Sequence, residues 1–154
     1  MTPTVIVLRH GHAVSRADWS GPDRDRPLRP SGRRQATALV GVVRGHDIRH
    51  VLSSPATRCV QTIAEGLTAA DVHAELLPGL DEEATAAQFA HAAAAVAGLL
   101  TGESNALVCS HRPVLPGLFA AVAGAGGPPP PTEPLRPGEF IVIRGADVLS
   151  RGRS

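Results

Sequence analysis

The chain has 154 residues, 43% of them hydrophobic, a formal net charge of +1 and two cysteines. That length suits one compact domain spanning residues 1–154 and burying roughly two-thirds of its unfolded surface. The balanced charge gives no reason to propose a nucleic-acid or membrane partner, since either calls for a concentrated basic face, and Cys59 and Cys109 sit in apolar segments without disulfide or zinc spacing.

Thr4 to Leu8 is a β-branched, apolar run that ends abruptly at Arg9-His10-Gly11, the pattern of a buried strand entering a tight loop. Before it there is neither a basic leader nor a cleavage site, so a cytoplasmic protein is expected. Residues 12–30 hold charges, prolines and the only Trp, and are predicted as loop. A helix follows with Ser31 as its N-cap and Ala36, Leu39, Val40 and Val43 on one face, closing at Gly45. Ile48 to Leu52 is the second predicted strand. Ser54 is the expected cap of the next helix, with Pro55 at its first position and Ala56, Val60, Ile63 and Leu67 on its apolar face.

Val72 to Leu77 is a weaker strand. The Ala-rich segment from about Thr85 to Leu100 is too short for a membrane span and reads as a buried helix. Ala106 to Cys109 forms a strand leading to Ser110-His111-Arg112-Pro113, after which Leu115, Leu118, Phe119 and Val122 line a helix. A Pro-rich connection over 124–138 reaches a last strand at Phe140 to Ile143. Alternating strands and helices predict an α/β fold: three α/β/α layers around a mostly parallel sheet, whose carboxyl edge carries the chemistry.

The junctions at that edge supply Arg9 and His10, Arg58, Glu82 and His111. Arginines neutralise phosphoryl oxygens, a neutral imidazole attacks phosphorus, and a carboxylic acid protonates the leaving oxygen. All fifteen basic residues are arginine, which binds phosphate bidentately. Gly11 lets the backbone approach closely, and the helix near Pro113 points its N-terminal dipole at an anion. A lone Arg-His-Gly triplet is a weak signal; its weight comes from the second arginine and second histidine at later strand ends. Glu82 is balanced against an ordinary helix-start acid and against its neighbour Glu83. His12, His46, His50, His73 and His91 have no such motif support; His46 and His50, at i, i+4 spacing, lack a carboxylate or Cys partner in helical phase and read as surface residues, and no metal or other cofactor is expected. A cysteine-phosphatase reading fails, because the residues six positions after Cys59 and Cys109 are Glu65 and Leu115 rather than Arg.

Arg9-His10-Gly11, Ser53-Ser54-Pro55-Ala56-Thr57-Arg58 with Gln61-Thr62, and Ser110-His111 together resemble the motifs of the histidine phosphatases, the superfamily that includes cofactor-dependent phosphoglycerate mutase. The likeness spans nearly the whole chain. Arg26-Pro27-Leu28 and the segment Cys109 to Pro116 are similar to short SixA-type phosphatases and to the phosphatase domain behind the Nudix domain of mycobacterial MutT-like proteins; no Nudix box is present. Mutases carry Ser or Thr and Asn shortly after the first histidine, where this chain has Ala13 and Arg16, a departure that favours hydrolysis.

The resemblance implies catalytic roles for His10, Arg9, Arg58, Glu82 and His111. Gly11, Arg16, Arg26 and Arg112 are expected to bind substrate, with a solvated loop as the bland alternative for Arg16 and Arg26. The implied substrate is a small phosphorylated molecule, including a nucleotide di- or polyphosphate. The alternatives are a SixA-like phosphatase acting on a phosphotransfer protein and a catalytically silent phosphate-binding module.

Overall fold

The computed structural model describes residues 2–154. Its strands are β1 (Thr4–Arg9), β2 (His50–Ser53), β3 (Ala74–Leu76), β4 (Ala106–Ser110), β5 (Glu139–Arg144) and β6 (Asp147–Arg153). The helices are α1 (Pro30–Gly45), α2 (Thr57–Ala70), α3 (Ala86–Gly98) and α4 (Leu115–Gly124). The strands form one sheet in the order β3-β2-β4-β1-β5-β6. The first four in that order run parallel, whereas β5 is antiparallel to β1 and β6 to β5.

Period-two alternation in β1 builds both cores. Ile6 and Leu8 pack with Leu39, Val43 and Ile63 from α1 and α2, while Val5 and Val7 pack with Val96, Leu118 and Val122 from α3 and α4. The three-layer α/β expectation therefore holds. Among the described residues no helix is long and apolar enough to cross a membrane.

Several boundaries differ from the sequence reading. Helix α1 starts at Pro30 after an extended Arg29, not behind a Ser31 cap, because proline's fixed φ suits the first helical position. Helix α2 starts at Thr57 with Ala56 as its cap, so Pro55 lies outside it. The Ser54 hydroxyl accepts weakly from the Ala56 N–H at 3.2 Å and contacts His111 Nε2 at 2.8 Å, so it is shared with the site. Strand β2 starts two residues and ends one residue later than expected, following the left-handed Asp47. Strand β3 shrinks to three residues. Strand β6 is absent from the sequence reading: it is a polar edge strand, with Val148 and Leu149 half exposed, joined to β5 through a turn at Gly145 in the left-handed region.

This topology fixes the carboxyl edge. Arg9 is in register with Ser110, so His10 and His111 leave adjacent parallel strands side by side. The Leu77 N–H donates to the Ser53 carbonyl at 2.9 Å, and a 3₁₀ turn over Pro78–Leu80 then carries the chain toward Glu82. The Ser110 hydroxyl donates to the Leu80 carbonyl at 2.6 Å and ties that turn to β4. Gly79 makes the docking possible, because a Cβ there would lie 2.0 Å from the Gln88 carbonyl oxygen of α3. Gly79→Ala is expected to lower stability by about 1–3 kcal/mol, the usual cost of overpacking, read as a lower urea midpoint at an unchanged slope.

Candidate active site

His10 directly follows β1 and is only 7% exposed. Its backbone N–H donates to the Ser110 carbonyl at 3.1 Å. Its Nδ1 lies 2.7 Å from the Gly11 carbonyl oxygen. A carbonyl only accepts, so Nδ1 carries the proton and Nε2 carries the lone pair. Burial, reinforced by His111, Arg58 and Arg9 and opposed by the Gly11 carbonyl, lowers the His10 pKa to about 3, so the ring is neutral at pH 7.

The His111 ring stands edge-on to His10 at a centroid distance of 5.2 Å. Its Nε2 is 2.8 Å from Ser54 Oγ and 3.6 Å from Cys59 Sγ, and its Nδ1 is 3.2 Å from Glu82 Oε1. Burial alone would depress this imidazole, yet the Cys59 and Glu82 contacts raise its pKa to about 9. Two neighbouring histidines are thus held in opposite protonation states, His10 neutral and His111 cationic.

Arg58 rises from the first turn of α2 and is 1% exposed. Its Nη1 donates to the Asp23 carbonyl at 2.9 Å, and its Nη2 pairs with Asp23 Oδ2 at 3.1 Å and Glu82 Oε1 at 3.2 Å. Arg9 Nη1 donates to the Leu135 carbonyl at 2.9 Å. Glu82 also pairs with Arg16 at 3.1 Å, and the His111 contact followed by Arg58 lowers its pKa to about 2 despite partial burial. Three buried side-chain nitrogens among the described residues lack hydrogen-bond partners: Arg9 Nε, Arg58 Nε and His111 Nδ1. All three belong to this cluster, and the Nδ1 hydrogen is not aimed at the nearby Glu82. Unsatisfied donors grouped in this way are complementary to an anion.

A cavity of about 380 Å³ opens over these groups. It is lined by Arg9, His10, Arg16, Arg26, Glu82 and Arg112 together with His12, Ala13, Pro113 and Pro137. Six of the nine residues expected at the site therefore line it, and His111 lies buried against the His10 ring. Arg58 lies beneath, spent on Asp23 and Glu82. Gly11 lies behind His10: its N–H donates to Thr62 Oγ1 at 2.9 Å, and a Cβ on it would meet Gln35 Oε1 at 3.0 Å, so its close approach is to α1 rather than to the cavity. Arg26 is largely buried and braces the loop through Val14 and Asp23, whereas Arg16 is exposed. Glu83 is exposed beside Arg24.

Sequence reasoning missed Asp23, which pairs with Arg16, Arg26 and Arg58; its position amid loop arginines was the only signal. It also missed Ser54 and Cys59 as neighbours of His111. His10, Glu82 and His111 offer three ligand atoms within 4.8 Å of one another, the donor set of a small metal site. The guanidinium groups of Arg9 and Arg58 beside them oppose a cation and favour an anion.

The profile of the histidine phosphatase superfamily (branch 1) matches residues 5–87. The chain belongs to that superfamily. The 8-oxo-(d)GTP phosphatase of Mycolicibacterium smegmatis is 34% identical over 158 residues, covering 97% of this chain and 48% of the relative. The chain thus spans about half the length of the curated relative it matches. Among solved structures, the protein histidine phosphatase SixA complexed with tungstate superposes with a TM-score of 0.73 at 24% identity, over 97% of this chain and 96% of that one. A mycobacterial glucosyl-3-phosphoglycerate phosphatase in complex with VO3 gives 0.72 at 16% identity, over 99% and 100%. At those identities the structures speak for the fold alone, and the histidine phosphatase fold is the one observed here.

The opposed protonation states are directly measurable. Ring-selective NMR titration is expected to show His10 neutral down to pH 5 and His111 losing its proton near pH 9. Cys59→Ala should lower the His111 value, because it removes one of the two contacts that raise it; a value unchanged in the variant would discount the Cys59 contact.

Proposed function

We propose that this chain is a phosphatase domain that works through a phosphohistidine on His10. The observation that carries the reading is the His10 tautomer, with Nδ1–H donated to the Gly11 carbonyl and an uncharged Nε2 left beside a cavity walled by arginines. A nucleophile needs that lone pair, and phosphoryl oxygens need those charges.

In the first step Nε2 attacks phosphorus in line, the N–P bond forms, and the bond from phosphorus to the leaving oxygen breaks. Arg9, Arg58 and the His111 imidazolium stabilise the equatorial oxygens, with Arg112 and Arg16 at the cavity wall. Glu82 supplies the proton that the leaving oxygen takes. In the free protein that carboxyl is ionised, because His111 and Arg58 hold its pKa at about 2. A bound phosphoryl group takes over those two cations and sets its own negative charge beside the carboxylate, and both changes raise the Glu82 pKa toward that of a usable acid. In the second step water attacks phosphorus, Glu82 accepts its proton, and cleavage of the N–P bond restores neutral His10 and releases phosphate. No step calls for a metal.

The Mycolicibacterium smegmatis relative supports a nucleoside phosphate as substrate. The fold shared with SixA keeps protein phosphohistidine as the second reading.

The test is hydrolysis of p-nitrophenyl phosphate and nucleoside phosphates in EDTA. Wild type should turn over, and His10→Ala should lose at least 10³-fold in kcat, more than the loss of a single charge-stabilising donor. Inactivity of the folded wild type on every substrate, or dependence on added metal, would overturn the proposal. Glu82→Gln should lower kcat/KM by about 10²–10⁴ on alkyl monoesters, the range of general acid catalysis. On p-nitrophenyl phosphate, whose leaving group departs without a proton, the loss should be under about tenfold on the same basis. Glu83→Gln should change neither; a loss there in place of one at Glu82 would move the acid role one residue along.

A further inference from the structure

A second cavity, of about 320 Å³, lies between the first turns of α4 and the Pro-rich connection before β5. Its walls are mostly apolar, formed by Leu115, Pro116, Phe119, Pro131, Pro134 and Leu135. Two features join it to the catalytic cavity. Arg112 lines both. The segment 130–137 also serves both: Pro130 to Leu135 wall the groove, Pro137 lines the catalytic cavity, and between them the Leu135 carbonyl accepts the hydrogen bond from Arg9. An arginine of the phosphate site is thus fastened to the groove wall.

We propose that this groove is the leaving-group subsite and takes the base of a nucleoside phosphate whose phosphoryl group lies at His10. The inference rests on the phosphatase reading above and names the substrate class for that site. Because Arg112 lines both cavities, an ester substituent that runs past Arg112 from a phosphoryl group beside His10 and Arg9 enters the groove. Its size suits a small ligand. Its apolar walls suit a flat heteroaromatic ring rather than a bare sugar or an inorganic polyphosphate, whose polar groups would lose water there without gaining partners. The Arg112 guanidinium at the junction can stack on such a ring. Thr132 and Glu133 at the rim offer polar partners for the ring edge. Prolines at 130, 131 and 134 stiffen the wall, so little order has to be gained on binding.

The experiment is calorimetric titration of the full chain carrying His10→Ala, so that nothing is turned over, with guanosine 5′-monophosphate and with ribose 5-phosphate. The two ligands present the same phosphate and differ in the base. The nucleotide should bind at least tenfold more tightly. Thr132→Trp and Pro116→Trp, at exposed positions that line the groove, should abolish that advantage by filling it while leaving ribose 5-phosphate affinity within twofold. Equal or undetectable binding of the two ligands, or an advantage that survives both tryptophans, overturns the subsite. Failure of the phosphatase reading shows separately, as a wild-type protein that does not hydrolyse p-nitrophenyl phosphate.

Discussion

The hydrogen bond from His10 Nδ1 to the Gly11 carbonyl, 2.7 Å long, is the constraint on which the rest of the site depends. It commits the proton to one ring nitrogen and the lone pair to the other. Burial keeps the ring neutral, and the surrounding guanidinium groups make protonation costlier still. A solvent-exposed histidine in the same motif would be partly protonated near neutral pH and free to turn over its tautomers. Gly11 can offer its carbonyl because its own N–H is anchored on Thr62 and its missing side chain lets the loop lie against α1.

The second constraint is charge balance at the carboxyl edge of the sheet. Arg9, Arg58 and cationic His111 crowd one strand edge, and without an anion they would repel one another. Glu82 and Asp23 absorb that charge, Glu82 from the turn tied to β4 by Ser110 and Asp23 from the loop over the site. The carboxylate that quiets the resting site is therefore the one proposed to serve as the acid. In the proposed mechanism a phosphoryl dianion competes for the same cations, and substrate binding itself would change the protonation state of Glu82. Ionised in the free protein and protonated in the complex, one carboxyl can fill both roles.

Much of this was legible in the sequence because the relevant residues fall where strand periodicity breaks. The apolar run before Arg9 and the one before Ser110 each locate a strand end, and parallel pairing brings His10 beside His111. The α/β alternation was equally plain. What could not be read has physical reasons. Strand β6 lacks an apolar face, being an edge strand with its larger side chains half exposed. Ser54 looked like a helix cap because serine serves that role so often, and only the fold reveals that His111 shares its hydroxyl. Asp23 sits 35 residues from Arg58 in sequence, within a loop whose periodicity carries no information on where it folds. Gly11 was expected to face the ligand, whereas its close approach is to α1.

The central claim is that neutral His10 accepts the phosphoryl group at Nε2. Rapid quench into alkali during turnover, followed by peptide mapping and phosphorus NMR of the trapped protein, tests it most directly. The account predicts one acid-labile, base-stable phosphoryl group per chain, bonded to Nε2 of His10 and absent from His10→Ala. A phosphoryl group on another residue, or turnover that continues in His10→Ala, would contradict it.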